Sequence, residues 1–469
     1  MSAAENCYIA SVRELVRQNL RFFVLATLAG LVLRLIFILR FPAITADSLV
    51  YGDIAKNWLQ HGIYGITGIG DITPTSIRLP GYPAFLAAVF AIFGIEHYRV
   101  ALALQMFVDI GTCFLIADLT RRVLSERAAK GAFWLAALCP FFANYAGAAL
   151  TETWEIFFTV LALDLAVAAL ENVHLWYWVG CGAAIAGAIL LRPDGGLLLG
   201  SIGIWLLVLL VRRNTLAGMP ASQMIKAGVI VAFVALAPLV PWTLRNLHTL
   251  HEFQPLAPRY ANEEGDFVPM GFNRWVKTWL ADYASVEEIY WAEPESPIDA
   301  TKLPSRAFDS PQQREATEQL IDDYNHSLRI SPELDARLAS LATERIHHSR
   351  FRYYIWLPVL RIADMWLRPR TEILPCNSRW WEFDEDEPWL VLTIAIAILN
   401  LLYIGAAKVG WFRVRFSSGM GLLITFVLLR SAFLGTLENP EPRYTLECYP
   451  IVIVLAGACF QRRSTSVVN

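Results

Sequence analysis

The chain has 469 residues, of which 56% are hydrophobic and 17% charged, and its mean hydropathy is +0.43. Soluble domains contain about 45–50% apolar and about 25% charged residues, so the composition excludes an ordinary soluble enzyme and also a disordered chain. The formal net charge of −3 provides no basic surface for a nucleic-acid partner. The composition predicts an all-α polytopic membrane protein.

Ten apolar runs approach the roughly 20 residues that a helix needs to cross a bilayer. They lie at about residues 22–40, 100–119, 131–150, 153–170, 176–191, 195–211, 225–244, 388–407, 417–436 and 445–460. The run at 82–95 is too short for a span, and we expect it to lie along the membrane surface or to re-enter it. The first run is long enough to span and lacks a small-residue cleavage site, so we expect a retained helix rather than a signal peptide.

The distribution of basic residues predicts how these spans are oriented. With ten spans and both termini in the cytosol, the cytosolic segments contain Arg13, Arg17, Arg21, Arg121, Arg122, Arg127, Lys130, Arg212, Arg213, Lys226, Lys408, Arg413, Arg415, Arg462 and Arg463. The short turns on the opposite side carry almost no basic residues except Arg192 and Arg443. Counting 82–95 as a full span would destroy this pattern.

The predicted topology divides the chain into three parts. Residues 1–246 form an N-terminal transmembrane module that contains a first outer loop at 41–99. Residues 247–387 form an outer-face soluble segment, and residues 388–469 contain the C-terminal spans.

Two helices are predicted inside the outer segment. The stretch from Gln312 to Arg345 has helical spacing of its apolar residues, which are Leu320, Tyr324, Leu328, Leu338 and Leu341. Residues 351–370 mix aromatic side chains with arginine, a pattern typical of an amphipathic helix at the membrane interface.

Asp47 is the candidate general base. Asp47, Tyr51 and Ala55 repeat every four residues and therefore share one helical face. Asp47 follows the first apolar run, where partial burial would suit it to accept a proton from a hydroxyl or amine. The alternative is that Asp47 is the N-cap of a helix. Asp53 lies off this face and is expected to be solvated.

Four arginines lie at predicted outer ends of spans, where basic residues are normally scarce. They are Arg78, Arg192, Arg245 and Arg443. An anionic ligand such as the phosphate of a lipid carrier explains the set, because guanidinium groups bind phosphate in a bidentate manner. Alternatively, Arg78 extends to lipid headgroups, and the others pair with Asp194, Glu438 or Glu441.

Three acidic residues within or at the start of spans have two interpretations each. Glu152 opens a span after Thr151, and it either stabilises the helix N-terminus or lines the outer cavity and orients an acceptor. Asp109 and Asp164 lie inside apolar runs, where acids are costly and often functional. They either relay protons or pair with other span residues.

Six motifs occur in an order that resembles a known family. They are the segment from Asp47 through HGIYG, RLPGYPAFLA, ALTET, LLRPDG, PWTLRN and PRYTLECYP. The chain resembles the glycosyltransferase family 39-like group, the protein mannosyltransferase and aminoarabinose transferase relatives, which have the GT-C fold. The resemblance covers about residues 40–250 and 440–455 and implies a GT-C-like bundle of about ten transmembrane helices with interfacial helices on the outer face.

This resemblance implies inverting transfer of a hexosyl or pentosyl group from a polyprenyl-phosphate donor to an envelope lipid, glycan or protein. Asp47 corresponds to the catalytic base, and Arg78 to a basic residue near the donor phosphate. Many relatives have an Asp-Glu pair, whereas Ser48 follows Asp47 here, which leaves open whether Glu152 supplies a second catalytic carboxylate. We expect no metal ion and no cofactor. The side chains expected to contact substrate are Tyr51, Asp53, Tyr82 and Tyr444.

Two other functions are compatible with the sequence. A polytopic transporter or lipid flippase would explain Asp109 and Asp164, but it leaves the two long outer segments unused. A non-catalytic scaffold for envelope assembly would make Asp47 and Arg78 dispensable. The sequence contains neither a P-loop nor a GxGxxG after a strand. We expect a bacterial inner-membrane protein with its active site facing the periplasm or exterior.

Overall fold

The structure, a computed structural model, describes residues 13–172, 174–212, 220–263, 265–383, 386–414 and 417–461. The described residues form two compact units. The first takes its residues from Met1–Glu264, Leu402–Val427 and Leu446–Asn469, and the second from Gly265–Leu401 and Leu428–Thr445.

In the part of the first unit that the structure describes, helices dominate, with one two-stranded hairpin and an isolated bridge between Ala43 and Ala148. Its elements up to residue 264 are α1 (Leu20–Arg40), α2 (Ala46–His61), β1 (Gly65–Thr67), β2 (Ile72–Pro74), α3 (Gly81–Phe93), α4 (Tyr98–Val123), α5 (Glu126–Ala137), α6 (Pro140–Ala146), α7 (Glu152–Glu171), α8 (Leu175–Leu191), α9 (Gly196–Val211), α10 (Ala221–Leu236) and α11 (Leu239–Thr249). The two strands are antiparallel, with Gly65 opposite Pro74 and Thr67 opposite Ile72.

The second unit is also helical. It contains α12 (Met270–Lys277), α13 (Pro311–Ser327), α14 (Pro332–His348) and α15 (Leu357–Leu367), and α15 continues a π-helical turn at Arg352–Trp356. The chain then forms α16 (Glu387–Trp411), α17 (Ser418–Leu434), a 3₁₀ segment (Pro442–Cys448) and α18 (Tyr449–Gly457). Both α16 and α17 contribute residues to the two units.

The prediction of an all-α polytopic membrane protein is confirmed. Within the described residues, seven helical segments are long and apolar enough to cross a membrane. They are Leu20–Arg40, Tyr98–Val123, Glu152–Glu171, Pro193–Val211, Ala221–Thr249, Glu387–Trp411 and Pro442–Phe460. Three further apolar helices are shorter, namely Gly81–Phe93, Leu175–Leu191 and Ser418–Leu434.

The predicted span at 131–150 is wrong as a single helix. The helix breaks between Ala137 and Pro140, since proline has no backbone N–H and forces the preceding residue, Cys139, into an extended conformation. The buried Arg34 side chain donates hydrogen bonds to the carbonyl oxygens of Ala136 and Ala137 at the C-terminal end of α5. The break is therefore built into the interior of the unit.

The two acids inside apolar runs are paired with arginines. Asp109 accepts a hydrogen bond of 2.6 Å from Arg34 Nε, and Asp164 lies 3.1 Å from Arg122 Nε. Arg122 also pairs with Asp118 at 2.8 Å. Of the two interpretations, the structure supports pairing within the bundle, because a buried charge requires a partner.

The first loop packs tightly on the bundle. Helix α2 begins at the N-cap Thr45, whose backbone N–H donates to Ser48 Oγ at 3.0 Å, so Thr45 rather than Asp47 is the N-cap. Near its middle, a Cβ on Gly52 would lie only 1.7 Å from the hydroxyl oxygen of Tyr98. A side chain at position 52 would therefore displace the Tyr98 ring from its place against α2.

The helical stretch predicted in the outer segment is confirmed, but it is two helices rather than one. Leu320, Tyr324, Leu338 and Leu341 are buried as expected. Leu328 instead ends α13 in a left-handed conformation with φ of 52°. The second helix starts after its own N-cap, Ser331, whose hydroxyl accepts a hydrogen bond from the Leu334 amide.

Candidate active site

A half-buried ion pair joins Asp47, the predicted base, to Arg78, the predicted phosphate ligand. Asp47 Oδ1 lies 2.8 Å from Arg78 Nη2. Asp47 is in the first turn of α2, and Arg78 lies in the loop between β2 and α3. The Asp47 side chain is 36% exposed and that of Arg78 22%, so the pair is accessible to a ligand. A potential proton acceptor therefore lies beside a potential phosphate ligand.

The Tyr51 ring lies beneath this pair. Its centroid is 5.6 Å from the guanidinium carbon of Arg78, which is a cation–π distance. Burial raises the pKa of Tyr51 to about 12; Arg78 and Arg192 act against this effect, and the carboxylates of Asp47 and Glu152 add to it. The Tyr51 phenol is thus close enough to interact electrostatically with two ion pairs, Asp47–Arg78 and Glu152–Arg192.

Tyr82 supports Tyr51 from within the bundle. The two rings make an edge-to-face contact with centroids 5.1 Å apart. The Tyr82 hydroxyl donates to Gln105 Oε1 at 2.7 Å, and Gln105 Nε2 donates to the Ala148 carbonyl at 2.7 Å. The Tyr82 side chain is fully buried, so its hydroxyl is used in this internal chain of hydrogen bonds.

A second, more acidic cluster surrounds Arg192. The guanidinium lies 3.8 Å from Glu152 Oε1, 3.8 Å from Glu155 Oε1 and 3.5 Å from Asp194 Oδ1. Glu152 and Glu155 are buried in the first turn of α7, while Arg192 ends α8. The buried Glu447 carboxyl group also faces Glu155. Because three carboxylates already compensate its charge, Arg192 is less suited than Arg78 to bind an additional phosphate.

Arg245 holds the hairpin that leads to Arg78. Its Nη1 donates to the Thr75 carbonyl at 2.7 Å and its Nη2 to the Tyr64 carbonyl at 2.6 Å. The guanidinium carbon is also 5.2 Å from the Tyr64 ring centroid and 5.4 Å from that of Trp242. Since these contacts use the guanidinium group, Arg245 links α11 to the hairpin backbone.

Tyr64, whose carbonyl is held by Arg245, also contacts Arg78 of the Asp47–Arg78 pair. Its hydroxyl donates to the Arg78 carbonyl oxygen at 2.9 Å. Burial raises the pKa of Tyr64 above its ordinary value, so the phenol keeps its proton and remains a donor. Tyr64 fixes the backbone of Arg78 and thereby the direction of its side chain.

Asp53 stabilises the hairpin rather than standing free in solvent. Its carboxylate accepts hydrogen bonds from the backbone N–H of Thr67 at 2.6 Å and from the Thr67 hydroxyl at 2.8 Å. Burial opposes ionisation, but these hydrogen bonds and those from Lys56 lower the pKa of Asp53 below its ordinary value. The expectation that Asp53 is solvated is therefore wrong, because the carboxylate is engaged with β1.

Comparison with known proteins places this arrangement in context. Residues 74–242 match the sequence model of the dolichyl-phosphate-mannose-protein mannosyltransferase family. That range contains Arg78, Tyr82, Glu152 and Arg192, while Asp47 precedes it. Comparison with curated protein sequences found no match.

The chain superposes on several solved structures. The oligosaccharyltransferase AglB from Archaeoglobus fulgidus, in complex with an inhibitory peptide and a dolichol-phosphate, superposes with a TM-score of 0.51 at 16% identity, over 93% of this chain and 50% of that one. The Archaeoglobus fulgidus oligosaccharyltransferase in complex with zinc and sulfate superposes with a TM-score of 0.51 at 16% identity, over 93% of this chain and 48% of that one. ArnT from Cupriavidus metallidurans bound to undecaprenyl phosphate superposes with a TM-score of 0.40 at 14% identity, over 94% of this chain and 77% of that one. The chain thus spans about half the length of AglB.

The chain has a GT-C glycosyltransferase fold. The fold expected from the ordered motifs is confirmed, and the chain is an integral, multi-pass membrane protein. In the first unit of this GT-C chain, Asp47, Arg78, Tyr51 and Tyr82 are close together, and Tyr51 links them electrostatically to Glu152 and Arg192.

Two predicted site residues of the GT-C chain lie in the second unit. Arg443 Nε is 2.6 Å from Glu441 Oε2, and the Tyr444 hydroxyl donates to Glu441 as well. Their role toward a substrate stays a prediction. Across the described residues, no group of three or more His, Cys, Asp or Glu side chains has the arrangement needed to hold a metal ion.

Sequence analysis did not single out Tyr64 or Glu447. Both occur in motifs that the resemblance uses, Tyr64 in HGIYG and Glu447 in PRYTLECYP. In the sequence, Tyr64 lies between glycines in a pattern typical of a turn, and Glu447 is one of several glutamates in its region. Only the folded chain brings Tyr64 to Arg78 and Glu447 to Glu155.

Proposed function

We propose that this protein is a membrane glycosyltransferase that moves a hexosyl or pentosyl group from a polyprenyl-phosphate donor to an envelope lipid, glycan or protein, with inversion at the anomeric carbon. The observation that carries the proposal is the accessible Asp47–Arg78 pair at 2.8 Å. Two findings add support: the match to the dolichyl-phosphate-mannose-protein mannosyltransferase family, and the dolichol-phosphate in the AglB complex.

Arg78 would bind the donor phosphate. When the bond between the anomeric carbon and the phosphate oxygen breaks, its electron pair leaves with the phosphate and negative charge increases there. A fixed guanidinium stabilises that charge more in the transition state than in the ground state, which is what lowers a barrier. The cation–π contact with Tyr51 and the hydrogen bond from Tyr64 hold Arg78 in place beforehand.

Asp47 would act as the general base. When the donor sugar binds between the two side chains and opens their contact, the Asp47 carboxylate would take the proton of the acceptor hydroxyl or amine while the acceptor atom attacks the anomeric carbon from the face opposite the phosphate. The new glycosidic bond therefore has inverted configuration. The proton ends on Asp47 and passes to solvent after the product leaves, so no redox partner is needed.

Glu152 would orient the acceptor from the other side of Tyr51. Its carboxylate is buried near Arg192, which fixes its direction and compensates its charge. Arg245, with both terminal nitrogens donating to backbone carbonyls, would position the hairpin rather than bind phosphate directly. The site is proposed to face the periplasm or exterior of a bacterial inner membrane, where lipid-linked donors and envelope acceptors meet.

The transporter interpretation has less support. It rested on Asp109 and Asp164, which are paired with Arg34 and Arg122 in the structure. A buried ion pair of this kind stabilises one arrangement of helices, and no described observation requires these acids to exchange protons.

Donor consumption tests the proposal. The purified wild type would be incubated with labelled polyprenyl-phosphate sugars and an envelope extract, beside Arg78→Gln and the matched control Arg99→Gln, an exposed arginine at the start of α4. We expect transfer or slow donor hydrolysis by the wild type and the control, and a loss of about 100-fold in Arg78→Gln. Equal rates for Arg78→Gln and the wild type would contradict the role of Arg78, and absence of any donor consumption would contradict the function.

A further inference from the structure

Helix α15 and the π-helical turn before it present an uncharged apolar face to the surroundings of the protein. The exposed fractions on this face are large, with Tyr354 at 62%, Ile355 at 53%, Trp356 at 51%, Val359 at 48% and Leu367 at 52%. Five such exposed side chains over about four turns are more than the scattered apolar residues of a soluble surface.

The opposite face fixes the orientation of the helix. Leu357, Arg361 and Met365 follow one another at intervals of four residues and are buried. Arg361 donates to the carbonyl oxygens of Leu280 at 2.9 Å and Lys277 at 2.6 Å. Because Arg361 joins α15 to the end of α12 and the turn after it, the helix cannot rotate to bury its outward face.

The C-terminal end of α15 is attached along the length of a membrane-spanning helix. Asn400 Nδ2 of α16 donates to the carbonyl oxygens of Trp366 at 2.8 Å and Arg368 at 3.1 Å. Asn400 is the fourteenth residue of α16, so at a rise of 1.5 Å per residue it lies about 20 Å from Glu387. Between these residues, Val391 and Ile398 are exposed at 60% and 53%, as expected for side chains that face lipid.

We propose that the outward face of α15 lies in the lipid of the membrane, with its start at the headgroups and its C-terminal end among the acyl chains. The occupant of this surface is lipid rather than a protein partner, because the helix end is held beside the apolar part of a span. Exposed Arg350, next to the start of the π-helical turn, would contact lipid phosphate, and the uncharged residues from Tyr354 to Leu367 would contact acyl chains. The second unit is thereby attached to the bilayer by a surface as well as by its spans.

Quenching of a site-attached fluorophore tests this proposal. In full-length protein whose seven native cysteines are replaced, bimane would be attached to Val359→Cys or to Ala316→Cys, an exposed position on α13 that serves as the aqueous control. The protein would be reconstituted in phosphatidylcholine–phosphatidylglycerol vesicles containing either ordinary or dibrominated acyl chains. Unfolding temperatures of the labelled proteins show whether both retain the fold.

We expect brominated lipid to quench the label at position 359 at least threefold more than the label at position 316, and aqueous iodide to do the reverse. Iodide quenching of the label at 359 equal to that at 316 would show that the face is in water and would overturn the proposal. Protection of the label at 359 from both quenchers would show that protein covers the face, which also overturns it. None of these outcomes depends on whether the protein transfers a sugar.

Discussion

Asp47 Oδ1 and Arg78 Nη2 lie 2.8 Å apart, although 31 positions separate the two residues in the sequence. The β1–β2 hairpin makes this contact possible, because it returns the chain from the end of α2 toward its beginning. The hairpin is in turn held by Arg245 and by the Tyr64 hydroxyl on the Arg78 carbonyl. The geometry of the proposed base and phosphate ligand therefore depends on residues that need not touch substrate.

Tyr64→Phe tests this dependence with the loss of a single oxygen atom. The variant keeps the ring contacts with Arg245 and Trp242 but removes the 2.9 Å hydrogen bond to the Arg78 carbonyl. A hydrogen bond of this kind contributes about 0.5–1.5 kcal/mol, so we expect kcat for sugar transfer to fall about three- to tenfold with a small change in unfolding temperature.

Tyr324→Phe is the matched control, since its hydroxyl donates to the Ala292 and Ser296 carbonyls in the second unit. We expect this control to lower the unfolding temperature slightly and to leave kcat unchanged. The positioning role of Tyr64 would be contradicted by an unchanged kcat in Tyr64→Phe, or by an equal loss in both variants.

Glu152→Gln tests the second carboxylate of the site. The change keeps the size of the side chain and removes the charge that faces Arg192 at 3.8 Å. We expect kcat to fall about tenfold or more while the KM for the donor changes less than threefold, because the proposed role is toward the acceptor. Steady-state kinetics with the donor varied at saturating acceptor would measure kcat and the KM for the donor separately. A raised donor KM at constant kcat would assign Glu152 to the donor instead.

Asp109→Asn separates the glycosyltransferase from the transporter. Removing one charge of the buried Asp109–Arg34 pair leaves the other uncompensated, which costs about 3–5 kcal/mol of the free energy of unfolding. We expect a markedly lower unfolding temperature, with sugar transfer per folded molecule retained within about threefold. A protein of normal stability that has lost proton-coupled uptake in vesicles would favour the transporter.

Glu372 gives the stability of the second unit a predicted pH dependence. Both of its carboxylate oxygens are buried, and burial raises the pKa of Glu372 to about 7, although Arg370, Arg368 and Arg443 act against this effect. Between the ordinary carboxyl pKa of about 4.5 and pH 7, the folded state holds a proton that the unfolded state has lost, so stability falls as the pH rises through this window.

We therefore expect Glu372→Gln to be the more stable protein at pH 8, by up to about 3 kcal/mol, and to show a flatter dependence of unfolding temperature on pH between 5 and 8. Thermal unfolding in detergent at several pH values measures both. Identical pH profiles for the variant and the wild type would show that Glu372 does not titrate in this range.

The membrane class, the fold and most helices could be predicted from the sequence. Hydrophobic composition and the length of the apolar runs reflect burial in lipid directly, so the spans from Leu20 to Arg40 and from Glu387 to Trp411 are evident from sequence alone. Periodicity also identified the buried faces of the helices that carry Leu320 and Leu338. These features depend only on residues that are close in sequence.

The errors arise where a distant residue decides the local structure. The run 131–150 is apolar except for Asn144, and only Pro140 signals the break that Arg34 then stabilises from another helix. Asp53 lies off the face that carries Asp47 and Tyr51 and is expected from sequence to be solvated, yet the hairpin returns and its Thr67 amide donates to the Asp53 carboxylate. Ser48, which departs from the family pattern, accepts a hydrogen bond from the Thr45 backbone N–H, a contact that needs the folded loop.

The most direct test of the central claim is sugar transfer by Asp47→Asn, with Asp71→Asn, an exposed aspartate in the same loop, as the matched control. Both variants and the wild type would be assayed at saturating polyprenyl-phosphate sugar, with donor binding and unfolding temperature measured on the same preparations. The account predicts that Asp47→Asn still folds and binds donor but transfers sugar at least about 100-fold more slowly, while Asp71→Asn matches the wild type. Transfer by folded Asp47→Asn at the wild-type rate would contradict the account.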